Sequence, residues 1–327
     1  MTSQIEPALR DVISTFNELN SSTIEELDSE PSPLEFMRFV SRNSPFVIRG
    51  AASSWKATRQ WSSTYLRSAL AGQTVNVAVT PHGWLFANGH GIHAKCSHFL
   101  HYKRNGVRPN QASSNADAPT YSPKDGVTVL AKPHEESQMF DDFLTYLMQQ
   151  ETDKTFPEDS EVRYAQTRQS LCLPILPAIL PFQAGGSTTS SHDRRLMYAQ
   201  KDIPFARIAL QRSPDAVNLW IGNSRSVTAT HKDNFENIFV QVIGRKHFVL
   251  LPPICHPCMN EALLTPATYV RDETGLSIRV DEGADLVPFV TWDPDDPQTN
   301  STAFSRFAQP MRVTLNPGDM LYLPAMW

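Results

Sequence analysis

The sequence predicts a mainly β fold with flanking helices, in which short strands form a sandwich or barrel and a jelly roll is a natural choice. After Ile203 the chain consists largely of short strand-like runs separated by turns, of which Asn316-Pro317-Gly318-Asp319 is the clearest. Its 25 prolines against 14 glycines also favour many turns. Helical periodicity is confined to the part of the chain before this point.

The N-terminal helices and strands are predicted from the spacing of apolar residues and from the residues that begin or end each element. Apolar residues at helical spacing predict helices over residues 6–20, 34–42, about 62–70 and 139–148. Ser32 or Pro33 can begin the second helix. Strands are predicted at Phe46 to Ile48, which ends in a turn at Gly50, and at Val75 to Thr80.

In the second half, β-branched and aromatic runs predict strands over residues 217–221, 226–231, 238–243, 246–251, 311–315 and 320–323. Gly244-Arg245 forms a tight link between two of them. His231-Lys232-Asp233 lies at the end of one predicted strand. Because side chains alternate along a strand, His231 and Asp233 should face the same side.

Composition excludes several classes of protein. The net charge of −5 argues against a general nucleic-acid binder. The longest apolar stretch, residues 171–182, is interrupted by three prolines and is too short to span a membrane. Four cysteines in 327 residues do not indicate a disulfide framework, and the N-terminus has no apolar leader. We therefore expect a cytosolic or nuclear location.

A His and an Asp two residues apart suit two of the three ligands in a 2-His-1-carboxylate site, which leaves positions open on Fe(II). The surrounding sequence strengthens this interpretation. The runs AVNLWIGNSRSVTATHKDNFENIFVQVIGRKHFVLLPP and LNPGDMLYLPAMW resemble the JmjC branch of the Fe(II)- and 2-oxoglutarate-dependent oxygenases. PSPLEFMRFVSRNSPFVIRGAASSW, VNVAVTPHG and VRYAQT extend the resemblance to the N-terminal half.

The resemblance implies a double-stranded β-helix of the cupin type, truncated at its C-terminus, with Fe(II) and 2-oxoglutarate bound inside. His231 and Asp233 would bind the metal and take part in catalysis. The distal carboxylate of 2-oxoglutarate needs a cation and hydroxyl donors in a buried pocket. Lys246 would supply the cation, and Thr228 and Tyr164 the hydroxyls. Asn237 matches a family position near the metal and co-substrate.

Two blocks depart from the family pattern. Residues 84–114 contain no Asp or Glu but four His and one Cys, and residues 169–192 contain no charged side chain. Both read as foreign inserts that form surface loops. The chain thus divides into an N-terminal section (1–83), an insert (84–114), a continuation (115–168), a second insert (169–192) and an incomplete β-helix core (193–327).

The family places its last metal ligand, a His, one or two residues after the Trp that matches Trp327, where this sequence ends. Two inserts and an early stop are what retained introns and a truncated gene model produce. A diverged protein with a poor metal site is the alternative.

Neither cysteine-containing motif predicts a metal site. Cys255-His256-Pro257-Cys258 resembles half a zinc site, but a structural zinc needs about four ligands and no second close cysteine pair exists. The cluster formed by His90, His93, Cys96, His98 and His101 lies within the first foreign block, and we expect it to bind no metal.

The family resemblance implies a protein substrate, with hydroxylation of a lysine in a GTP-binding protein of the translation machinery as the expected reaction. A metallopeptidase that acts on modified histone tails is one alternative. A catalytically inactive binding protein that lacks its third metal ligand is another. Direct contact with nucleic acid or membrane is not expected, and a homodimer is left open.

Overall fold

The architecture comes from a computed structural model, which describes residues 2–81, 95–103, 118–122, 126–167 and 203–327. The described helices are α1 (Thr2–Leu19), α2 (Pro33–Arg42), α3 (Lys56–Gln60), α4 (Ser63–Ala69), α5 (Phe140–Thr152) and α6 (Pro204–Leu210). Two short 3-10 helices cover Pro253–Cys258 and Ser305–Phe307. None of the described helices is long and apolar enough to cross a membrane.

The strands of the first half are β1 (Glu25–Leu27), β2 (Phe46–Ile48), β3 (Thr74–Thr80), β4 (Lys95–Lys103), β5 (Ala118–Ser122), β6 (Val127–Lys132), β7 (His134–Met139) and β8 (Val162–Thr167). Those of the second half are β9 (Ala216–Gly222), β10 (Phe235–Ile243), β11 (Lys246–Leu250), β12 (Glu261–Asp272), β13 (Gly275–Val280), β14 (Val287–Val290), β15 (Met311–Leu315) and β16 (Met320–Leu323).

Within the described residues, nine strands form one large sheet in the order β1-β2-β16-β10-β4-β9-β8-β3-β7. Strands β11 and β15 pair as a small second sheet, and β13-β12-β6-β5 form a third, with β14 paired to β12. The predicted mainly β fold with flanking helices is therefore confirmed. The described strands do not close into a complete barrel.

Helix α2 shows how local sequence sets an element. The hydroxyl of Ser32 accepts a hydrogen bond from the Glu35 backbone N–H, and the Glu35 carboxylate accepts one from Ser32, which makes a capping box. At the other end, Asn43 adopts the left-handed conformation, with φ of 51°, and ends the helix. Both ends agree with the predicted 34–42 helix to within one residue.

The core lies on both faces of the large sheet. On one face, Ile238 and Val240 of β10 pack against α2 and α6, in a cluster that includes Phe36 and Phe205. On the opposite face, the alternate residues of β10 face the two-stranded sheet of β11 and β15. Phe239 packs there with seven other buried residues, namely Val47, Leu250, Met311, Val313, Leu315, Leu321 and Trp327. We call this second face the interior face, because it lies between the two sheets.

Two expectations about strands are wrong. Residues 226–231 are irregular rather than a strand, because β9 ends at Gly222 and a turn follows it. Residues 95–103, expected as a surface loop, form β4, which pairs antiparallel with both β10 and β9. The second block, 169–192, lies outside the described residues, and the foreign origin of both blocks stays a prediction.

Candidate metal and co-substrate site

His231 and Asp233 lie in the irregular segment that leads into β10. Nε2 of His231 is 3.9 Å from Oδ2 of Asp233, with the two side chains 30% and 12% exposed. The two side chains therefore face each other, as their spacing predicts, although the predicted strand is absent. The pair lies just before the start of the largely buried strand β10.

The imidazole of His231 is held in one orientation by its other nitrogen. Nδ1 lies 2.8 Å from the carbonyl oxygen of Ala229. A carbonyl can only accept, so Nδ1 carries the proton and donates it. In the neutral ring, Nε2 then keeps its lone pair, and this is the nitrogen that lies 3.9 Å from Asp233. A histidine that binds a metal is usually fixed by this kind of second hydrogen bond.

Asp233 is positioned through its backbone by the end of the chain. Its carbonyl oxygen accepts a hydrogen bond of 2.7 Å from the N–H of Met326. On either side of Met326, the carbonyl of Ala325 accepts from Asn43 Nδ2 at 3.0 Å, and the indole N–H of Trp327 donates to the Asn43 backbone carbonyl at 2.8 Å. We call these four residues (Asn43, Ala325, Met326 and Trp327) the terminal clamp. The clamp connects the end of α2 to a predicted metal ligand.

The distance between the two side chains fits a shared metal ion. Metal–ligand bonds from imidazole nitrogen and carboxylate oxygen are about 2.1 Å, so two ligands of one ion lie at most about 4.2 Å apart. The observed 3.9 Å is within this limit. Among the residues that the structure describes, no third His, Cys, Asp or Glu joins them in a group able to hold a metal. The two side chains are thus close enough to share an ion, and the described residues supply no third candidate ligand.

The interior face of β10 carries buried amides that need polar partners. Asn237 is fully buried, and neither Nδ2 nor Oδ1 has a hydrogen-bond partner in the described part of the chain. Gln241, four residues further along the same face, donates to the carbonyl of Ile243, while its Oε1 is likewise buried and unsatisfied. Each such group costs about 1–3 kcal/mol. A polar molecule bound against this face would offset that cost.

Lys246 begins β11 and is half-buried. Phe248 and Leu250 lie at alternate positions of the same strand and pack into the interior cluster, so Lys246 belongs to the same side of β11. The ring of Phe248 contacts that of Phe239 at 4.8 Å between centroids, and the Lys246 ammonium lies 5.9 Å from the Phe248 ring. Lys246, the cation predicted to hold 2-oxoglutarate, therefore lies on the side of β11 that faces the unsatisfied amides of Asn237 and Gln241.

The two predicted hydroxyl donors differ in their surroundings. Thr228 is half-buried in the irregular segment, three residues before His231. Tyr164 lies on β8, and its ring packs against Trp220 with centroids 5.6 Å apart. Gly222 allows this, since a Cβ there would lie 2.5 Å from the Tyr164 ring. The roles predicted for both hydroxyls stay predictions.

A charged network borders the site. Nζ of Lys232 is 3.2 Å from a carboxylate oxygen of Glu261, and Nε2 of His256 is 3.3 Å from the same oxygen. Partial burial raises the pKa of Glu261, but the hydrogen bond and charge of Lys232, with those of His256, outweigh it and hold that pKa below its usual value. The side chain between the two predicted ligands is thus tied to the start of β12.

The structure brings His231 and Asp233 together, and it places Asn237 on the interior face and Lys246 on the side of β11 that faces it. It also reveals residues that the sequence did not single out. Asn43, Ala325 and Met326 of the terminal clamp are examples, as is Gln241. No local sequence pattern marks these residues, because their roles come from contacts with residues that are distant in sequence.

The chain is similar in sequence to several known proteins. Residues 31–327 match the family model described as a cupin-like domain. The chain is 32% identical to bifunctional peptidase and (3S)-lysyl hydroxylase JMJD7 of Homo sapiens over 303 residues, which cover 92% of this chain and 77% of that protein.

Two further relatives show similar coverage. Lysine-specific demethylase JMJ32 of Arabidopsis thaliana is 31% identical over 339 residues, which cover 100% of this chain and 81% of that protein. JmjC domain-containing protein E of Dictyostelium discoideum is 25% identical over 319 residues, covering 93% and 76% respectively.

Proposed function

Because this chain belongs to the JmjC branch of the cupin-like family, a family of 2-oxoglutarate-dependent oxygenases, we propose that it is an Fe(II)- and 2-oxoglutarate-dependent protein hydroxylase acting on lysine. The observation that carries the proposal is the 3.9 Å approach of His231 Nε2 to Asp233 Oδ2, with the other ring nitrogen bonded to a carbonyl. This arrangement supports a role as two metal ligands of fixed orientation, just before the start of β10.

Fe(II), when bound, would supply the redox centre at which dioxygen and 2-oxoglutarate react. His231 and Asp233 would hold it. Lys246 would bind the distal carboxylate of 2-oxoglutarate, with Thr228 and Tyr164 as hydroxyl donors. Asn237, whose amide is buried without partners in the described residues, would donate and accept hydrogen bonds at the co-substrate. The space between the sheets would exclude water from the reaction.

Lysine is the substrate that the relatives support. The names of the human and Arabidopsis relatives both specify reactions at lysine, one a hydroxylation and the other a demethylation. A GTP-binding protein of the translation machinery, in the cytosol or nucleus, is the narrower proposal. It rests on the family resemblance alone, as does the option of a homodimer.

Metal binding is tested without activity. We expect Mn(II), added as a probe for Fe(II) and followed by electron paramagnetic resonance, to bind the unaltered protein and to bind at least ten-fold more weakly to His231→Ala and Asp233→Ala. His247→Ala is the matched control, because His247 is an exposed histidine on the opposite side of β11. Equal Mn(II) affinity in all four proteins would reject the site.

A metallopeptidase is the second candidate, because the printed name of the human relative includes a peptidase activity. Lysine-containing peptides incubated with Fe(II), ascorbate and 2-oxoglutarate distinguish the two. Hydroxylation adds one oxygen to an intact peptide and consumes 2-oxoglutarate, whereas a peptidase gives fragments. A protein that binds Mn(II) and 2-oxoglutarate but changes no peptide would indicate the inactive binding protein.

A further inference from the structure

The 3-10 helix between β11 and β12 carries two buried cysteines at a spacing that brings them together. Cys255 and Cys258 are 1% and 0% exposed. In a 3-10 helix, side chains three residues apart eclipse each other, so both thiols lie on one side. Three residues at about 2 Å rise each separate the two Cα atoms by about 6 Å. Disulfides span about 4.4–6.8 Å between Cα atoms, so this backbone can accept one.

The surroundings of the two thiols differ. Sγ of Cys258 lies 3.3 Å from the carbonyl oxygen of Phe304 and also within hydrogen-bonding reach of the Cys255 sulfur. A thiol has one proton, so Cys258 donates to one of these acceptors at a time. Donation from Cys258 lowers the pKa of Cys255, against the effect of burial and with help from the backbone N–H of Gln309. The same contact, with burial, raises the pKa of Cys258.

A metal does not explain the pair. A structural zinc takes about four ligands, and no group of three or more His, Cys, Asp or Glu exists in the described ranges. The intervening His256 is directed to Glu261 instead. Ile13 of α1 belongs to the same buried apolar cluster as the two cysteines. The pair is therefore a dithiol in an apolar setting, with one sulfur better suited to carry negative charge.

We propose that Cys255 and Cys258 form a redox-active dithiol, which hydrogen peroxide oxidises to an intramolecular disulfide. The Cys255 thiolate attacks one peroxide oxygen, the O–O bond breaks, and the released hydroxide takes a proton to form water. The sulfenic acid formed on Cys255 is attacked by the Cys258 sulfur, and its hydroxyl leaves with the Cys258 proton as a second water. Two thiols and one peroxide give one disulfide and two waters.

Both sulfurs are buried, so the reaction requires the six-residue helix to open locally. Hydrogen peroxide is close to water in size and needs only a small opening. The new bond would fix the turn that precedes β12. Glu261 begins that strand and pairs with Lys232, so oxidation would stiffen a connection to the segment between His231 and Asp233.

The test uses the full chain with Cys96→Ser and Cys172→Ser, which leaves only this pair. After treatment with hydrogen peroxide, mass spectrometry of a non-reduced digest should show Cys255 and Cys258 joined, with the loss of two hydrogens, and dithiothreitol should reverse it. Adding Cys258→Ser to this background should let a sulfenic acid accumulate on Cys255, trapped by dimedone.

Adding Cys255→Ser instead should give less dimedone adduct on Cys258 than Cys258→Ser gives on Cys255, because burial still disfavours the Cys258 thiolate when its partner sulfur is gone. The parent double variant alone is sufficient to decide the proposal if either triple variant misfolds. Two free thiols after peroxide treatment of the folded protein, under conditions that oxidise both in urea, would overturn it. Zinc found in the purified protein and lost when Cys255 is replaced would also overturn it.

Discussion

The backbone N–H of Met326 donates a hydrogen bond of 2.7 Å to the carbonyl oxygen of Asp233. A residue next to the last in the sequence thus fixes the backbone of a predicted metal ligand. Asn43 holds this contact in place from the end of α2, through its bonds to Ala325 and Trp327. The predicted site therefore depends on a helix end that is distant in sequence from His231 and Asp233.

Replacing Asn43 should destabilise the fold and weaken metal binding together. Asn43→Ala loses the hydrogen bond from the side-chain amide to the Ala325 carbonyl. It also places alanine in the left-handed conformation, at φ of 51°. We expect a loss of about 1–3 kcal/mol from the lost hydrogen bonding, and about 1 kcal/mol more from the backbone. Urea unfolding measures the first effect, and Mn(II) affinity, reduced up to about ten-fold, measures the second.

Asn43→Gly is the matched control, since glycine adopts the left-handed conformation readily but lacks the amide. It should be more stable than Asn43→Ala, yet bind Mn(II) equally weakly. If both variants keep full Mn(II) affinity, the terminal clamp does not position Asp233.

Replacing Lys246 should impair binding of 2-oxoglutarate and leave Mn(II) binding unchanged. Lys246→Ala leaves the distal carboxylate in the interior without its cation, a cost on the order of 2–5 kcal/mol, so the dissociation constant should rise at least about 30-fold. Thr228→Val should cost less, about 1–3 kcal/mol. Calorimetric titration of the Mn(II)-loaded protein measures both.

Arg245→Ala is the control for Lys246, because it removes a neighbouring exposed cation. An equal loss of 2-oxoglutarate affinity in both variants would point to general electrostatics rather than a specific contact. An unchanged affinity in Lys246→Ala would reject the assignment outright.

Glu26 should stabilise the protein only above mildly acidic pH. The hydrogen bonds from Arg49 lower the pKa of Glu26 from its usual 4.5. A carboxylate with a lowered folded pKa stabilises the fold above its unfolded pKa, and this stability is lost as the pH falls through the folded value. Both side chains are exposed by a third or more, so we expect less than about 1 kcal/mol at pH 7.

The measurement is the difference in unfolding free energy between the unaltered protein and Glu26→Gln, taken from pH 7 downwards. The difference should shrink below pH about 4.5. Glu25→Gln is the control on the same strand, since its carboxylate is 4.0 Å from Arg42. The same pH dependence in both variants would contradict a specific effect of Arg49.

Removing residues 84–114 should destabilise the protein. The deletion takes out β4, which pairs with β10 on one side and β9 on the other, and it leaves two strand edges unpaired. Deleting residues 169–192 is the comparison, for which the sequence predicts no loss. The measurement is the thermal unfolding temperature of each deletion variant, compared with that of the unaltered protein. A deletion of 84–114 that leaves stability unchanged would show that β4 is not part of the folded sheet.

The sequence predicted elements whose signals are local. Helix α2 carries its own capping box, β3 alternates valine with smaller residues, and β15 and β16 were placed at their observed bounds. His231 and Asp233 approach each other as expected, although the strand from which that expectation came is absent.

Elements defined by their partners were missed. Strand β7, HEESQM, is almost entirely polar and is extended because it pairs with β3. Strand β12 contains Pro266, which argues against a strand, yet it pairs with β6, β13 and β14. For residues 226–231 the error is the reverse, because their β-branched side chains predict a strand that is absent. Asn223 instead anchors the preceding turn to Gln150 of α5.

The outermost strands of the large sheet bear on how the protein behaves at high concentration. At one edge β1 is only three residues long and carries Glu25 and Glu26, and at the other β7 carries Glu135 and Glu136. Two copies that met edge to edge would bring carboxylates of the same sign together. These two edges of the large sheet are therefore protected against open-ended strand addition, the route by which exposed sheet edges seed fibrous aggregates.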